Sequence, residues 1–503
     1  MVLTAGDGAT AQQENSRRRL GLGPDAPLLV TVGVAATLAY LLVHRSLIDD
    51  AYITMTYARN VAFHLHWGLV AGETANSATS PLNVLLLAAV TVVVRNPVVG
   101  VGILFVASVV LTAWWLAALA RRLGLSRATP WIAVAFLLPN PLLLSTVGLE
   151  SYLAAALFAG LLRYGAAGRP VAFGVVAGLA VLARPDLAVV VVVAALGFAA
   201  VRRKLLKALA AAVAVAAPWH VFSWFVLGSA VPDTLVLKLG QGTWAGYSFA
   251  TGPLMYLHAW PVDAALSFVP VVLGGAALVV VLLAPLTGHR SAVQRVAALA
   301  GLAAVAHYTA YGILGTPPYH WYYAPFITGL SMCAALVAGR ALAARRVVSV
   351  AVAAVPVVVG LAMATASLAH GVPWSRAAIA TNWAGPAEYE RIASQMRAVV
   401  GDQPVESPGE IGTLAYYCGC TMADAFSDRG RMIELIEARE ARSGPLGRTL
   451  IGLNYLHLDR AEPPRQVAFR LEYLRGVAPA GPRQWPVWHW AEGPGRMVLL
   501  HAP

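Results

Sequence analysis

The sequence predicts a polytopic α-helical membrane protein carrying a C-terminal soluble α/β domain. Three observations carry this. Hydrophobic residues fill 58% of the 503 positions and charged residues only 12%, where soluble domains carry about 25% charged residues. Mean hydropathy is +0.67, and apolar runs of about 20 residues recur down to position 369. Beyond that position the composition shifts to charged helices punctuated by Pro and Gly.

The formal net charge of +12 fits arginine-rich loops against anionic lipid headgroups. The expected surroundings are therefore a lipid bilayer, and no nucleic-acid partner is expected. Lysine occurs only at Lys204, Lys207 and Lys238. The cysteines are Cys333, inside an apolar run, and the pair Cys418 and Cys420. A Cys-x-Cys loop strains disulfide geometry, so buried free thiols are expected.

In chain order, residues 1–26 read as a cytoplasmic tail, with Arg17, Arg18 and Arg19 just before the first apolar segment, 27–43. That segment carries no small-x-small cleavage pattern and is expected as a retained first helix. Further segments follow at roughly 81–94, 98–120, 128–146, 150–164, 169–183, 186–201, 205–227, 262–285, 293–313, 321–341 and 346–369. Inner loops are marked by Arg121, Arg122 and Arg127, by Arg163 and Arg169, and by Arg202, Arg203, Lys204 and Lys207. His289, Arg290 and Arg295 mark the next, and Arg340, Arg345 and Arg346 the last. With this orientation the segment 81–94 cannot span fully; it is expected to enter and return, or to pack as a partial helix lining a cavity. About eleven full spans and an external C-terminus remain. The domains are then the tail 1–26, a transmembrane catalytic domain 27–369 with an external loop 44–80, and an extracytoplasmic soluble domain 370–503.

All seven acidic residues between positions 27 and 369 fall on the outer side: Asp49, Asp50, Glu73, Glu150, Asp186, Asp233 and Asp263. The adjacent carboxylates Asp49 and Asp50 are costly beside hydrocarbon without counter-charge, water or a function. They can cap the helix beginning near Tyr52. Alternatively one is a general base on a hydroxyl, tuned by its neighbour's charge, with Asp49 favoured. Thr54–Val70 is amphipathic enough to lie along the interface, with Met55, Ala58, Val61, Ala62 and Leu65 on one side and Arg59 on another. The polar loop Gly72–Leu82 brings Glu73, Asn76 and Thr79. That density of hydroxyls and amides suits sugar recognition, and equally any external loop.

Glu150 opens a helix, where the dipole alone explains a carboxylate. Arg184-Pro185-Asp186 turns an apolar hairpin, and Arg184 can simply neutralise Asp186. Lys238 is the one outer lysine; an interfacial lysine ordinarily snorkels, and as a phosphate ligand it would pair with Arg59 or Arg184. Pro317–Tyr323 brings Tyr319 and His320, which an interfacial aromatic belt also explains. No metal motif is present, and His64 and His66 do not share a helix face. No phosphate-loop, dinucleotide, nucleophile-elbow or zincin motif occurs.

Taken in order, these pieces resemble the GT-C superfamily of membrane glycosyltransferases that use polyprenyl-phosphate sugars. The resemblance runs through Asp49-Asp50, Arg59-Asn60, Gly72-Glu73, the Asn76–Leu82 loop, Gly148-Leu149-Glu150 and Arg184-Pro185-Asp186. It continues through the stretch ending at Lys238, the aromatic run 319–323, Gly409-Glu410-Ile411-Gly412 and Tyr416-Tyr417. The first external loop is similar to that of actinobacterial cell-wall arabinofuranosyltransferases. Departures are His66-Trp67 where a Gly/Asn-rich turn is usual, Asp233 for asparagine and Glu410 for aspartate; they bear on the sugar more than on the reaction.

The resemblance implies transfer of a sugar, arabinofuranose first, from a polyprenyl-phosphate donor to a cell-envelope polysaccharide or glycolipid on the outer face of the plasma membrane. Asp49 or Asp50 would take the acceptor proton, and Lys238, Arg184 and Arg59 would hold the donor phosphate. Glu73, Asn76, Thr79, Glu150, Asp186, Tyr319 and His320 would contact substrate. No cofactor is expected; a divalent metal is compatible with this reading but indicated by no motif. The alternatives are transfer of mannose or another sugar, a non-catalytic transporter of the lipid-linked sugar, or an envelope assembly factor.

Overall fold

The computed structural model describes residues 23–284, 291–344, 349–476 and 483–502. Arg17 to Arg19, His289, Arg290, Arg345 and Arg346, used above to orient the chain, lie outside the described residues.

Before position 370 the described residues form helices joined by turns and loops, with no strand among them. Among the described residues seven helices are long and apolar enough to cross a bilayer: Ala26–Val43, Pro97–Leu123, Leu205–Val226, Pro261–Leu283, Ala292–Leu314, His320–Ala343 and Val352–Ala369. Pro81–Val94, Pro170–Ala183 and Pro185–Gly197 are apolar but shorter, and Ser151–Ala166 has 16 residues.

The segment 128–146 departs from the expected single span. It breaks into Thr129–Leu137 and the turn Pro141–Leu144. Asn140 caps the second piece and donates to the Ser267 carbonyl at 3.1 Å, while the Ser267 hydroxyl accepts from Leu142 N at 3.0 Å. A neighbouring helix thus satisfies the backbone groups that the break frees, the condition for irregular backbone at membrane depth. Pro81–Val94 is stopped by Arg95 in the left-handed region (φ 59°) and by Asn96, whose side chain caps the 27-residue helix Pro97–Leu123.

The amphipathic segment after the aspartates also differs from expectation. Its helix runs Asp49–His64, so both acids sit in its first turn, and Leu65 lies beyond its end, 93% exposed. Residues Ala51 to Ala58 are all buried. The helix packs within the protein, sandwiched between Pro81–Val94 and the C-terminal part's helix Gly412–Cys418. Gly412 allows this approach, since a Cβ there would strike the Asp49 carbonyl.

The C-terminal part holds a five-stranded mixed sheet, β1 Val405–Glu406, β2 Met422–Ala423, β3 Phe469–Leu474, β4 Arg483–His489 and β5 Gly493–His501, in the order β2-β1-β3-β5-β4. β1 runs parallel to β2 and β3, while β5 is antiparallel to β3 and β4. Helices Pro386–Val400, Gly412–Cys418, Arg429–Arg442 and Pro445–Asn454 accompany it. Trp374, Ile379, Tyr389, Leu414 and Met497 from this part belong to the same buried apolar core as the membrane helices. Cys418 and Cys420 form a disulfide, with Cα atoms 5.0 Å apart, contrary to the free thiols expected. Gly419, at φ 60°, turns the chain between them and brings the Cα atoms into the range that a disulfide requires.

Candidate active site

The two aspartates part company at the helix start. Successive residues on an α-helix point about 100° apart, so only one can face a given cavity squarely. Asp49 is 4% exposed, and its carboxylate accepts from Gly412 N at 2.9 Å and Thr413 N at 2.7 Å. It is a clamp on the first turn of the Gly412–Cys418 helix. Burial pushes its carboxyl up to about 6 against the pull of those N–H donors, with the neighbouring Asp50 charge adding to the rise. Asp50, by contrast, opens onto space and stands 3.7 Å from the Nζ of Lys238.

Two cavities meet at that pair. The larger, about 650 Å³, is lined by Asp50, Lys238, Gln241, Trp244, Tyr319, Asn382, Trp383, Glu410 and Trp490, with Asp49 at its edge. The smaller, about 40 Å³, is lined by Asp50, Thr54, Ser77, Thr79, Glu150, Arg184, Thr234, Lys238 and Tyr322. Asp50, Lys238, Ile53, Trp321 and Phe426 border both.

Lys238 sits on the short helix Thr234–Gly240, with its ammonium 3.6 Å from the centre of the Tyr319 ring and 5.4 and 5.5 Å from those of Trp321 and Phe426. Three ring faces hold the cation by their quadrupoles. The Tyr319 hydroxyl donates to Gln241. The polar loop after Gly72 fixes this helix from below: Asn76 donates to Ser223, Ser229 and the Ser229 carbonyl, its own carbonyl accepts from Asp233 N, and Thr79 bonds Thr234 at 3.1 Å. Asn76 is thus a buried strut, whereas Thr79 also touches the smaller cavity. Asp233 does not line either cavity; it accepts from the Ser229 hydroxyl.

Arg184 is buried in a cage of opposite charge. Its Nη1 reaches Glu150 at 2.7 Å, its Nε and Nη2 reach Asp186 at 3.0 and 3.1 Å, and Nη2 also meets the Tyr311 hydroxyl at 3.2 Å. His307 Nε2 lies 2.6 Å from Asp186 on the far side. Of five guanidinium hydrogens, one on Nη1 remains uncommitted by these contacts. Arg184 can offer a phosphate far less than a free arginine could.

Asn76 and Asp186 border neither cavity, and three further sequence candidates also lie apart from the pair. Arg59 donates to the Tyr416 carbonyl at 3.1 Å and lies 4.7 Å over its ring, fastening the soluble part; it borders neither cavity. Glu73 forms an ion pair with Arg465 and has the same tying role. His320 is buried against Tyr256 and Trp321, outside both cavities.

Glu410 joins the site from the soluble part. It accepts from Trp383 N at 3.0 Å and from the Tyr389 hydroxyl. Burial, reinforced by the Asp49 charge, pushes its carboxyl well above the usual carboxylate range. Trp383 stacks between Tyr473 at 4.4 Å and His489 at 4.1 Å, and Trp490 lies 5.0 Å from Trp260. Nothing in the sequence distinguishes Trp383 and Trp490 from other aromatic residues of the C-terminal part. No group of three or more His, Cys, Asp or Glu side chains is assembled as a metal site among the described residues.

No family profile matches the sequence, and no curated protein matches it. The likeness to known proteins is one of structure. ArnT from Cupriavidus metallidurans, solved bound to undecaprenyl phosphate, aligns at TM-score 0.58 and 14% identity over 95% of this chain and 98% of its own. The fold is the one seen in ArnT. AglB, the archaeal oligosaccharyltransferase from Archaeoglobus fulgidus, solved with an inhibitory peptide and a dolichol-phosphate, aligns at TM-score 0.50 and 13% identity over 88% of this chain and 69% of its own. Arabinofuranosyltransferase AftD from Mycobacteria follows at 0.48 and 14%, over 95% and 40%. The seven long apolar helices among the described residues mark a multi-pass membrane protein.

Proposed function

We propose that the protein is a membrane glycosyltransferase that moves a sugar from a polyprenyl-phosphate donor to a hydroxyl of a cell-envelope glycan. The observation that carries this reading is the Asp50–Lys238 pair, a carboxylate and an ammonium 3.7 Å apart where two cavities meet. The bound undecaprenyl phosphate in ArnT and the dolichol-phosphate in AglB support a lipid-phosphate donor.

In the reaction the bond from the anomeric carbon to the phosphate oxygen breaks, and a bond from that carbon to the acceptor oxygen forms. Asp50 takes the acceptor hydroxyl proton. The electron pair of the broken bond stays on the phosphate, whose growing charge Lys238 stabilises. Arg184, already neutralised by two carboxylates, contributes little beyond holding Glu150 and Asp186 in place. The aromatic and amide lining of the larger cavity suits an acceptor sugar, since Trp faces pack on pyranose or furanose rings while Asn382, Gln241 and Glu410 answer hydroxyls. Arabinofuranose is the donor sugar we favour, on the similarity of the first external loop. The site and the C-terminal domain would face outward, by the arginine distribution of the loops.

The test is purified protein given a panel of radiolabelled polyprenyl-phosphate sugars, a pentose among them, with an oligosaccharide acceptor. Transfer from one donor that disappears in Asp50→Asn supports the reading. Absence of transfer from every lipid-linked sugar would overturn it.

A further inference from the structure

We infer that the helix Pro445–Asn454 lies in the membrane surface and seats the soluble domain on the bilayer. Leu446, Leu450 and Leu453 follow the i, i+4, i+7 spacing of a single helix face, and Leu456 extends the row. They are 74, 58, 52 and 60% exposed, and no residue of the helix is buried. Four outward leucines on so short an element form an unpartnered apolar face that water alone does not account for.

Its other side is spoken for. Ile451, Tyr455 and Leu458 pack on Met432 and Ile436 of Arg429–Arg442 and on Val236 and Leu237, the residues beside Lys238.

The occupant of the outward face follows from what adjoins it. The end of the spanning helix Leu205–Val226 is bonded to this element: Trp224 Nε1 donates to the Leu453 carbonyl at 2.9 Å, and the His457 ring lies 4.9 and 4.5 Å from the Trp224 and Phe225 rings. Asn454 exchanges hydrogen bonds with Val231 N and O at 2.8 and 3.3 Å. Val221, Phe222, Phe225 and Val226 at that end of the spanning helix are exposed apolar residues, which a bilayer would cover. The leucine row therefore continues the hydrocarbon-facing band at the level of an interfacial Trp. A short helix with apolar residues on one face and Arg448 among its polar groups is the composition of an interfacial anchor. Through Val236 and Leu237 the same anchor holds the Lys238 helix at membrane level.

The test uses the full chain in phospholipid nanodiscs, with a bimane label on Leu450→Cys and, as a reference, on the exposed Glu437→Cys; Cys333 is buried and Cys418 is bonded to Cys420. Nitroxide-bearing lipids should quench the label at position 450 several-fold more than the one at 437, and aqueous iodide should quench it several-fold less. Equal iodide quenching at the two sites would overturn the inference. Protection from both quenchers would overturn it too, by showing that a protein surface covers the leucines. None of these readouts depends on sugar transfer.

Discussion

Asp50 Oδ1 and Lys238 Nζ, 188 residues apart in sequence, stand 3.7 Å apart with side chains 27 and 9% exposed. Next to them Asp49 has both carboxylate oxygens committed to the backbone N–H groups of Gly412 and Thr413 in the C-terminal part. Two adjacent acids thus serve different ends, one lining both cavities and one holding two parts of the chain together.

Asp49→Asn tests the holding role. An amide offers one acceptor where the carboxylate offers two, so Gly412 N or Thr413 N is left without a partner, at a cost of about 1–3 kcal/mol. Amide exchange at Gly412 and Thr413 should quicken by roughly tenfold to a hundredfold, and thermal stability should fall. Asp50→Asn should change neither. Gly412→Ala should mimic Asp49→Asn, because its Cβ collides with the Asp49 carbonyl.

Lys238→Gln removes the ammonium while leaving a polar side chain of similar reach. A charged hydrogen bond is worth about 1.5–3 kcal/mol, so affinity for undecaprenyl phosphate should drop by roughly tenfold to a hundredfold. A titration followed by tryptophan fluorescence measures it. Affinity unchanged in Lys238→Gln would remove Lys238 from the donor site.

The fold was legible because hydrocarbon-length runs admit few structures, and charges are rare enough in them to stand out. Asp50, Lys238 and Arg184 were visible as candidates on that ground. Which of the two adjacent aspartates faces the cavities was not. The division of labour between Asp49 and Asp50 depends on the helix beginning at Asp49 and on Gly412, 363 residues downstream. Trp383 and Trp490 sit in the C-terminal part, where rings are ordinary, so no contrast marks them, and Glu410 stood out only within its Gly409–Gly412 motif. Arg59 looked free because its partner, the Tyr416 carbonyl, is a backbone atom. The break within 128–146 is hidden by composition, since Ser267 on another helix makes it tolerable.

Docking of the soluble domain should weaken as pH rises. Burial holds the carboxyl of Asp49 up to about 6 and that of Glu410 well above its ordinary value, whereas in the unfolded chain they would titrate near about 4. Raised carboxyls make the docked state bind protons more tightly, so the contribution is complete below about 4 and is lost as pH climbs through about 6. Melting temperature between pH 5 and 7.5 should fall, with a shallower slope in Asp49→Asn. A rise over that interval would contradict the assignment.

Trp490→Ala should raise KM for the glycan acceptor about threefold to tenfold, the equivalent of about 0.5–1.5 kcal/mol of ring stacking, and leave undecaprenyl phosphate affinity unchanged. Equal losses for both substrates would mean that the larger cavity is not an acceptor site.

The most direct measurement is single-turnover transfer by Asp50→Asn in nanodiscs, at donor and acceptor concentrations that saturate the unaltered protein. The account predicts a rate lower by about 10²–10⁴, the usual share of a general base, with melting temperature and amide protection at Gly412 intact. Transfer at the unaltered rate in Asp50→Asn would contradict it.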